Sequence, residues 1–414
     1  MTEQGWNADV LIAGAGYVGL SLAVALKQSD PDLTVIVADP RHESVPDKTA
    51  DSDARASAVA ASARRLLEVV GVFDALKPHA QPILDMVVTD SRTGDAVRPV
   101  FLSFDGEVAP GEAFAHMVPN AELVRALHAR AVELGVIFEM PCRISGFATK
   151  KSGMHVDRAD NGSSFHVGLL VAADGVRSSL RTLSGIRTVS WKYRQKAIVT
   201  TLAHTEPHNG RAEEHFLPAG PLALLPLTGN RSSLVWTEEP HRADQLVKED
   251  ETLFLMDLES RTGFHLGEFS LAGPRQAYPL GLMLVREFVG PRFALIGDAA
   301  HGIHPIAGQG LNMGFRDVAA LAETIVETRR LGLDVGSPDC LARYQQWRRF
   351  DTWQMGAVTD GLNRLFSNDN PLVRGVRDFG LGLVDRMPAM KTAFMKEAAG
   401  ITGEPPKLMR GEPI

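Results

Sequence analysis

Two glycine-rich stretches, far apart in the chain, carry the residue types that hold a phosphorylated cofactor. The first is GAGYVG, where Gly14, Gly16 and Gly19 make the spacing GxGxxG and Asp39 follows about 20 residues later. Glycine permits a tight turn, lets backbone N–H groups approach a pyrophosphate and lets the next helix pack closely on its strand. The helix start adds unpaired N–H groups and positive potential, and Asp39 is spaced to accept hydrogen bonds from an adenosine ribose. The second stretch is GDAAHGIHPIAGQGLNMGFRD, residues 297–317. Asp298 can accept from ribityl or ribose hydroxyls, while Pro305, Gly308, Gly310, Leu311 and Asn312 lead into a helix whose macrodipole favours negative charge. The first loop alone does not separate FAD from NAD. Two sites for opposite ends of one large cofactor point to a flavin, whose reduced pyrimidine ring is anionic.

The elements around these motifs are those of a parallel α/β sheet. ADVLIAGAG (residues 8–16) is an apolar run ending in glycines, GLSLAVALKQ has helical spacing, and TVIVADP (34–40) is a second buried strand. After a polar, proline-bearing loop, ARASAVAASARRLLEVVGV is expected to form one helix closing at Gly71. NAELVRALHARAVELG is a further helix, with Asn120 as its N-cap and Gly135 as its stop, feeding the strand VIFEM. GLLVAADG (168–175) and PRFALIGDAA (291–300) are buried strands, and LNMGFRDVAALAETIVETRR is a long amphipathic helix. Between about residues 190 and 278 the texture changes to β segments and turns, with a hairpin tip at Thr228, Gly229 and Asn230. Beyond Asp339 the pattern is helical, broken at Pro371 and Pro388.

The expected fold class is therefore α/β: a discontinuous Rossmann-like FAD-binding domain, an inserted mostly antiparallel β-sheet substrate domain, and a helical C-terminal region. The expected boundaries are residues 1–75, 112–187 and 288–345 for the first, 76–111 and 188–287 for the second, and 346–414 for the third. A chain of 414 residues with 44% hydrophobic and 22% charged residues is ordinary globular material for two to three domains. Its net charge of −7 argues against nucleic-acid binding, which needs a basic surface. Cys142 and Cys340 stand far apart and support neither a disulfide framework nor a metal site, which fits a reducing cytoplasm. The N-terminal residues do not read as a signal peptide, and no run of about 18 apolar residues is present to span a bilayer.

GAGYVG, the middle stretch AADGVRSSLR (172–181) and the 297–317 stretch together resemble the class A FAD-dependent aromatic hydroxylases of the para-hydroxybenzoate hydroxylase fold. Within them the chain is similar to the ubiquinone-biosynthesis hydroxylases of the 2-polyprenyl-6-methoxyphenol hydroxylase type. HPIAGQGLNMGFRD, ARASAVAASARRLLEVVGVFDAL, GPLALLPL and the late stretch from TDGLNRLF onward carry that likeness over nearly the whole chain. It implies that Asp174, Gly175 and Arg177 lie near the cofactor, that Arg55 contacts the flavin side, and that Asn120 contacts the ribityl chain. Asp39 departs from the pattern, where Glu is common, and its shorter arm would weaken the ribose contact.

The resemblance implies an FAD-dependent monooxygenase that hydroxylates a polyprenylated phenol in ubiquinone biosynthesis through a flavin C4a-hydroperoxide. NAD(P)H or another reductant would be the electron donor and O2 the co-substrate. The cofactor carries the hard chemistry, so no catalytic side chain and no metal ligand are assigned. Two other classes stay open: a flavin-dependent isoprenoid reductase or cyclase, and a non-catalytic subunit of a quinone-biosynthesis complex. Partners are expected to be the prenylated phenol and other quinone-biosynthesis proteins, in a cytoplasmic protein with peripheral contact at the inner membrane face. His301 and His304 have the types of an acid/base pair, but their place inside a cofactor motif favours structural roles. Residues 360–399 mix apolar positions such as Leu381, Met387 and Phe394 with Arg374, Arg386 and Lys391. A solvated helix face packed on the core is favoured there over a membrane-surface helix.

Overall fold

The computed structural model describes residues 7–41, 55–90, 100–150, 152–160, 162–367 and 395–414. Its first strand, β1 (Ala8–Ala13), is buried at all six positions, as a strand covered on both faces must be. The helix α1 (Tyr17–Ser29) crosses to β2 (Val35–Ala38), which pairs parallel to β1 with Val10 opposite Val35. The parallel core runs in the order Ile137–Glu139, β2, β1, Ser164–Ala172, Phe293–Leu295. A hairpin of Ile144–Lys150 and Gly153–Arg158 pairs antiparallel to Ser164–Ala172. In register, Ala13 stands beside Ala172, and Ala172 beside Leu295. The three motifs of the sequence therefore leave the carboxyl ends of three adjacent strands, the edge at which open α/β sheets bind ligands.

The second layer is a nine-stranded, mostly antiparallel sheet. Its central strands are Thr188–His204, Gln276–Val285, Gly220–Leu227, Arg231–Glu238 and Arg211–Leu217, joined by Asp85–Asp90 and Val100–Asp105 from much earlier in the chain. The hairpin tip falls between Leu227 and Arg231, with Gly229 at φ +76°. One face of this sheet, with Ile198, Leu222, Leu234 and Trp236, packs on the helices Pro240–Lys248 and Glu251–Thr262 through Leu246, Phe254 and Leu258. The other face looks toward the parallel sheet. His301 and Gly302 form a short strand on the edge of the second sheet, with Leu284 opposite His301 and the Val285 N–H donating to the Ala300 carbonyl at 3.0 Å.

Two local expectations are corrected. Residues 56–60 form a strand, β3 (Ala56–Ala60), and the helix α2 (Ala61–Val69) starts only after it. The alanine-rich run has helical propensity, but Ala56–Ala60 pairs with Ala115–Pro119, and the Asn312 side chain binds the Ala60 N–H and the Ala58 carbonyl, both at 2.9 Å. Asn120 does not cap its helix: Pro119 occupies the N-cap, and the Asn120 side chain accepts from the Ser57 hydroxyl at 2.7 Å. The late helix spans Pro338–Phe366. Pro371, Pro388 and the apolar and basic positions of 374–394 lie outside the described residues.

The glycine loop is set by close backbone approach. Gly14 has φ +117°, and a Cβ there would sit 2.3 Å from the Ala173 carbonyl oxygen; one at Gly19 would sit 2.0 Å from the Gly14 oxygen. A Cβ at Gly16 meets nothing within 4 Å. With flavin removed, Gly19→Ala is expected to lose ~1–3 kcal/mol of stability in urea denaturation, whereas Gly16→Ala stays within about 0.5 kcal/mol of the unchanged protein.

Candidate functional site

The glycine loop presents a helix start with no acidic residue in its first turn and no side-chain cap at Gly16. Its N–H groups are left for an anion, and the open space at Gly16 is where the anion can lie. Asp39, at the end of β2, is buried and accepts from the Ala15 N–H at 2.8 Å and from Arg41 at 2.8 and 2.9 Å. Burial pushes its carboxyl pKa up, but Arg41 and the Ala15 N–H outweigh that, and the net shift is downward. The Arg41 backbone N–H also donates to it at 2.9 Å, so the short arm is fixed as a carboxylate beside the loop with all four acceptor sites taken, and a hydroxyl would take the place of a bond from the exposed Arg41 side chain.

The middle motif turns at Gly175, φ +81°. Asp174 accepts from the Ser179 and Leu180 N–H groups at 2.9 and 3.3 Å, and its other oxygen is buried without a partner among the described residues. Arg177 is exposed. Arg181, at the end of the middle motif, ties this loop to the next: its guanidinium donates to the Val176 and Ala299 carbonyls, both at 2.9 Å. Gly14 and Asp174 are neighbours, since a Cβ on the one would lie 3.1 Å from the backbone nitrogen of the other.

The third motif rests on a buried charge cluster. Asp317 accepts from the Gly297 N–H at 2.8 Å, from His301 Nε2 at 2.6 Å and from Arg348 Nε at 2.7 Å. Arg348 also pairs with Asp351, which accepts from Arg316 at 2.9 Å. Burial raises the pKa of Asp317, but His301 and Arg348 bring it below the ordinary value. His301 is thereby a structural partner of the loop. His304 is fully buried, with both ring nitrogens unpartnered among the described residues and its edge against Tyr193. Burial lowers its pKa to about 4, so its ring is neutral.

Asp298 points from this loop into a cavity of about 890 Å³, a size suited to small-molecule binding. Enclosure by protein raises its carboxyl pKa, partly offset by His301 and Arg55, and neither oxygen has a hydrogen-bond partner among the described residues. Pro305, Gly308, Gly310, Leu311 and Asn312 line the same cavity. Gly308, at φ +63°, is the uncapped start of the helix Gln309–Arg330, so backbone N–H groups face the space. The Asn312 side chain is already occupied by β3. Arg55 interacts electrostatically with Asp298, and its guanidinium lies 5.8 Å from the Tyr278 ring centre. Gly14, Gly16, Gly19, Asp39, Arg55, Asn120, Asp174 and Gly175 lie outside the cavity lining, Gly14, Gly16, Asp39, Asp174 and Gly175 at the strand ends next to it and Gly19 in the first turn of α1.

The opposite wall is the inner face of the second sheet: Ala212, Glu214, Ala223, Leu225, Val235 and Thr237. Sequence reasoning singled out none of these. One signal was available, since adjacent glutamates in a strand buried on both faces must place one carboxyl on each. The whole arrangement accommodates an extended dinucleotide, from the open helix start at Gly16 to the unpartnered carboxylate of Asp298 and the helix start at Gly308.

Residues 7–358 match the family described as FAD binding domain. The chain is 43% identical over 411 residues to the ubiquinone hydroxylase UbiL of Rhodospirillum rubrum, covering 98% of this chain and 94% of that one. The chain belongs to the FAD-dependent ubiquinone-biosynthesis hydroxylases. It is also 31% identical over 407 residues to the 3-demethoxyubiquinol 3-hydroxylase of Escherichia coli K12, with 97% and 100% covered. Among solved structures, p-nitrophenol 4-monooxygenase PnpA from Pseudomonas putida DLL-E4 superposes with a TM-score of 0.77 at 18% identity, covering 96% of this chain and 98% of that one, which shows the shared fold.

Breaking the charge cluster should unseat this loop. Asp317→Asn leaves Arg348 buried with a weakened partner and is expected to cost ~3–5 kcal/mol at pH 7 in chemical denaturation. Because the folded pKa of Asp317 lies below its unfolded value, its contribution is complete above about pH 4 and is lost as pH falls through the folded value. The gap between the two proteins should therefore narrow below about pH 4.

Proposed function

We propose that this protein hydroxylates the aromatic ring of a polyprenylated phenol on the route to ubiquinone. The observation that carries this reading is the cavity itself, which joins the cofactor-side helix start at 308–312 to an apolar sheet wall in one space. FAD, reduced by NAD(P)H or another donor, supplies activated oxygen from O2 to the ring.

Backbone N–H groups around Gly14, Gly16 and Gly19 hold the pyrophosphate, Asp39 the ribose, and Asp298 a hydroxyl of the ribityl chain. Asp174 and Gly175 shape the neighbouring turn, and Arg55, just before β3, and Asn120, at the start of the helix Asn120–Glu133, approach the cofactor. Leu311, Asn312 and Gly310 offer backbone N–H groups to negative charge. The chain's part in catalysis is to seat the ring between Pro305 and the sheet, orient it, and exclude water from the reacting atoms. Residues 76–111 and 188–287 act as the substrate-facing domain, and the remainder up to residue 345 as the cofactor domain.

A polyprenyl tail belongs to a substrate that resides in a bilayer, and this supports peripheral membrane contact and association with other quinone-biosynthesis proteins. No helix of the described residues is long and apolar enough to cross a membrane.

Asp298→Ala is expected to keep the fold and weaken FAD binding, because it removes acceptors for hydroxyls without opening a core cavity. Loss of one or two hydrogen bonds to a charged group, ~1.5–3 kcal/mol, amounts to roughly tenfold or more in Kd, readable by fluorescence titration of the flavin-free protein. Turnover of a prenylphenol under ¹⁸O₂ should place one labelled oxygen on the ring. A flavin-loaded protein that inserts no label while reducing an isoprenoid alkene would replace this reading with that of a reductase.

A further inference from the structure

Among the described residues Glu214 is the one carboxyl on the sheet wall of the cavity. In register it stands opposite Ala223 on one side and Val88 on the other, and Ala223 stands opposite Val235. Side chains alternate along strands, so Glu214, Ala223 and Val235 share one face. Glu214 and the cofactor-side helix start at Gly308 line the same cavity. Its sequence neighbours face the other way, where Glu213 pairs with His215 at 3.3 Å and with His265 at 2.7 Å.

Glu214 has no comparable partner: its carboxyl makes no hydrogen bond or ion pair with the described residues. Beside it on its own strand, Phe216 stacks on Phe366 of the late helix, both apolar. The other titratable groups lining the cavity among the described residues are Tyr17, Lys192 and Asp298. None of them perturbs Glu214, whose pKa is lifted to about 7 by burial alone. On the same wall the Thr237 hydroxyl is also buried without a partner among the described residues. A carboxyl kept in an apolar wall without a protein partner is costly, and such groups concentrate where a ligand completes them.

Resting on the hydroxylase reading, we propose that Glu214 binds the phenolic hydroxyl of the substrate and takes its proton. The O–H bond breaks, the proton bonds to a carboxylate oxygen, and the electron pair stays on the phenolic oxygen. From there it conjugates into the ring and enriches the carbons ortho and para to it. Those carbons are the nucleophilic half of an aromatic hydroxylation. After the ring carbon has gained oxygen and lost its own hydrogen as a proton, Glu214 returns its proton to the phenolic oxygen and is ready again. A base whose pKa lies near the working pH is suited to this exchange.

The test uses the FAD-loaded protein with 2-geranylphenol as the probe. Its readouts are the hydroxylation rate, followed from pH 5 to 9, and KM. A free phenol ionises near 10, well above Glu214, so the proton is transferred in the course of the attack on oxygen and the rate reports it. In the unchanged protein the rate should rise through about pH 7 as Glu214 ionises. Glu214→Gln, with flavin content and melting temperature unchanged, should lose that rise and slow hydroxylation by about 10²-fold or more. Glu214→Asp should restore part of the rate with a higher KM. A rate and pH profile that survive in Glu214→Gln overturn the assignment while leaving the hydroxylase reading intact. If the flavin-loaded protein neither binds nor hydroxylates the probe and related prenylphenols, both fall together. Should Glu214→Gln fail to retain flavin, Glu214→Asp decides: an unaltered KM and pH profile there overturns the assignment.

Discussion

Three parallel strands that end level with one another are the constraint from which the rest follows. Ala13, Ala172 and Leu295 lie side by side in register, so three loops from distant parts of the chain open at one edge of one sheet. Each loop then needs a local device to hold its shape: close backbone contact at Gly14 and Gly19, the Arg181 tether in the middle loop, and the Asp317 cluster under the last. These devices differ in chemistry but share a function. Each satisfies backbone polar groups from within, and leaves the outward N–H groups and carboxylates for a ligand.

The parts of this site that are legible in the sequence are those whose constraint is local. A GxGxxG spacing encodes a turn because φ at Gly14 and the approach of Gly19 to the Gly14 oxygen admit no side chain. The hairpin at Gly229 is legible for the same reason. What escapes is whatever depends on a partner across the fold. The run at 56–60 has the composition of a helix, but pairing with Ala115–Pro119 and the grip of Asn312, some 250 residues away, make it a strand. Asn120 has the chemistry of a cap and is drawn instead to Ser57. The cavity wall is the extreme case, because its face is composed from single residues on several strands and no contiguous string of letters spells it.

Charge in this protein is sorted by depth. Asp39 and Asp317 are buried and compensated by arginine, with histidine added at Asp317, and both stay below the ordinary carboxylate range. Asp298 and Glu214 are enclosed with less compensation, His301 and Arg55 offsetting only part of the burial at Asp298 and nothing offsetting it at Glu214, and both rise. The first pair holds loops in place, while the second pair faces the cavity. The same residue type thus serves as scaffold or as reagent according to whether the protein itself supplies the counter-group.

The short pairing of His301 and Gly302 with Leu284 and Met283 stitches the last cofactor loop onto the edge of the second sheet. The two layers cannot swing apart like jaws at that seam without tearing the ladder and uncovering His301 together with the carboxylate beneath it. Traffic through the site must then rely on a ligand that slides within a fixed frame, rather than on a frame that opens around its ligand.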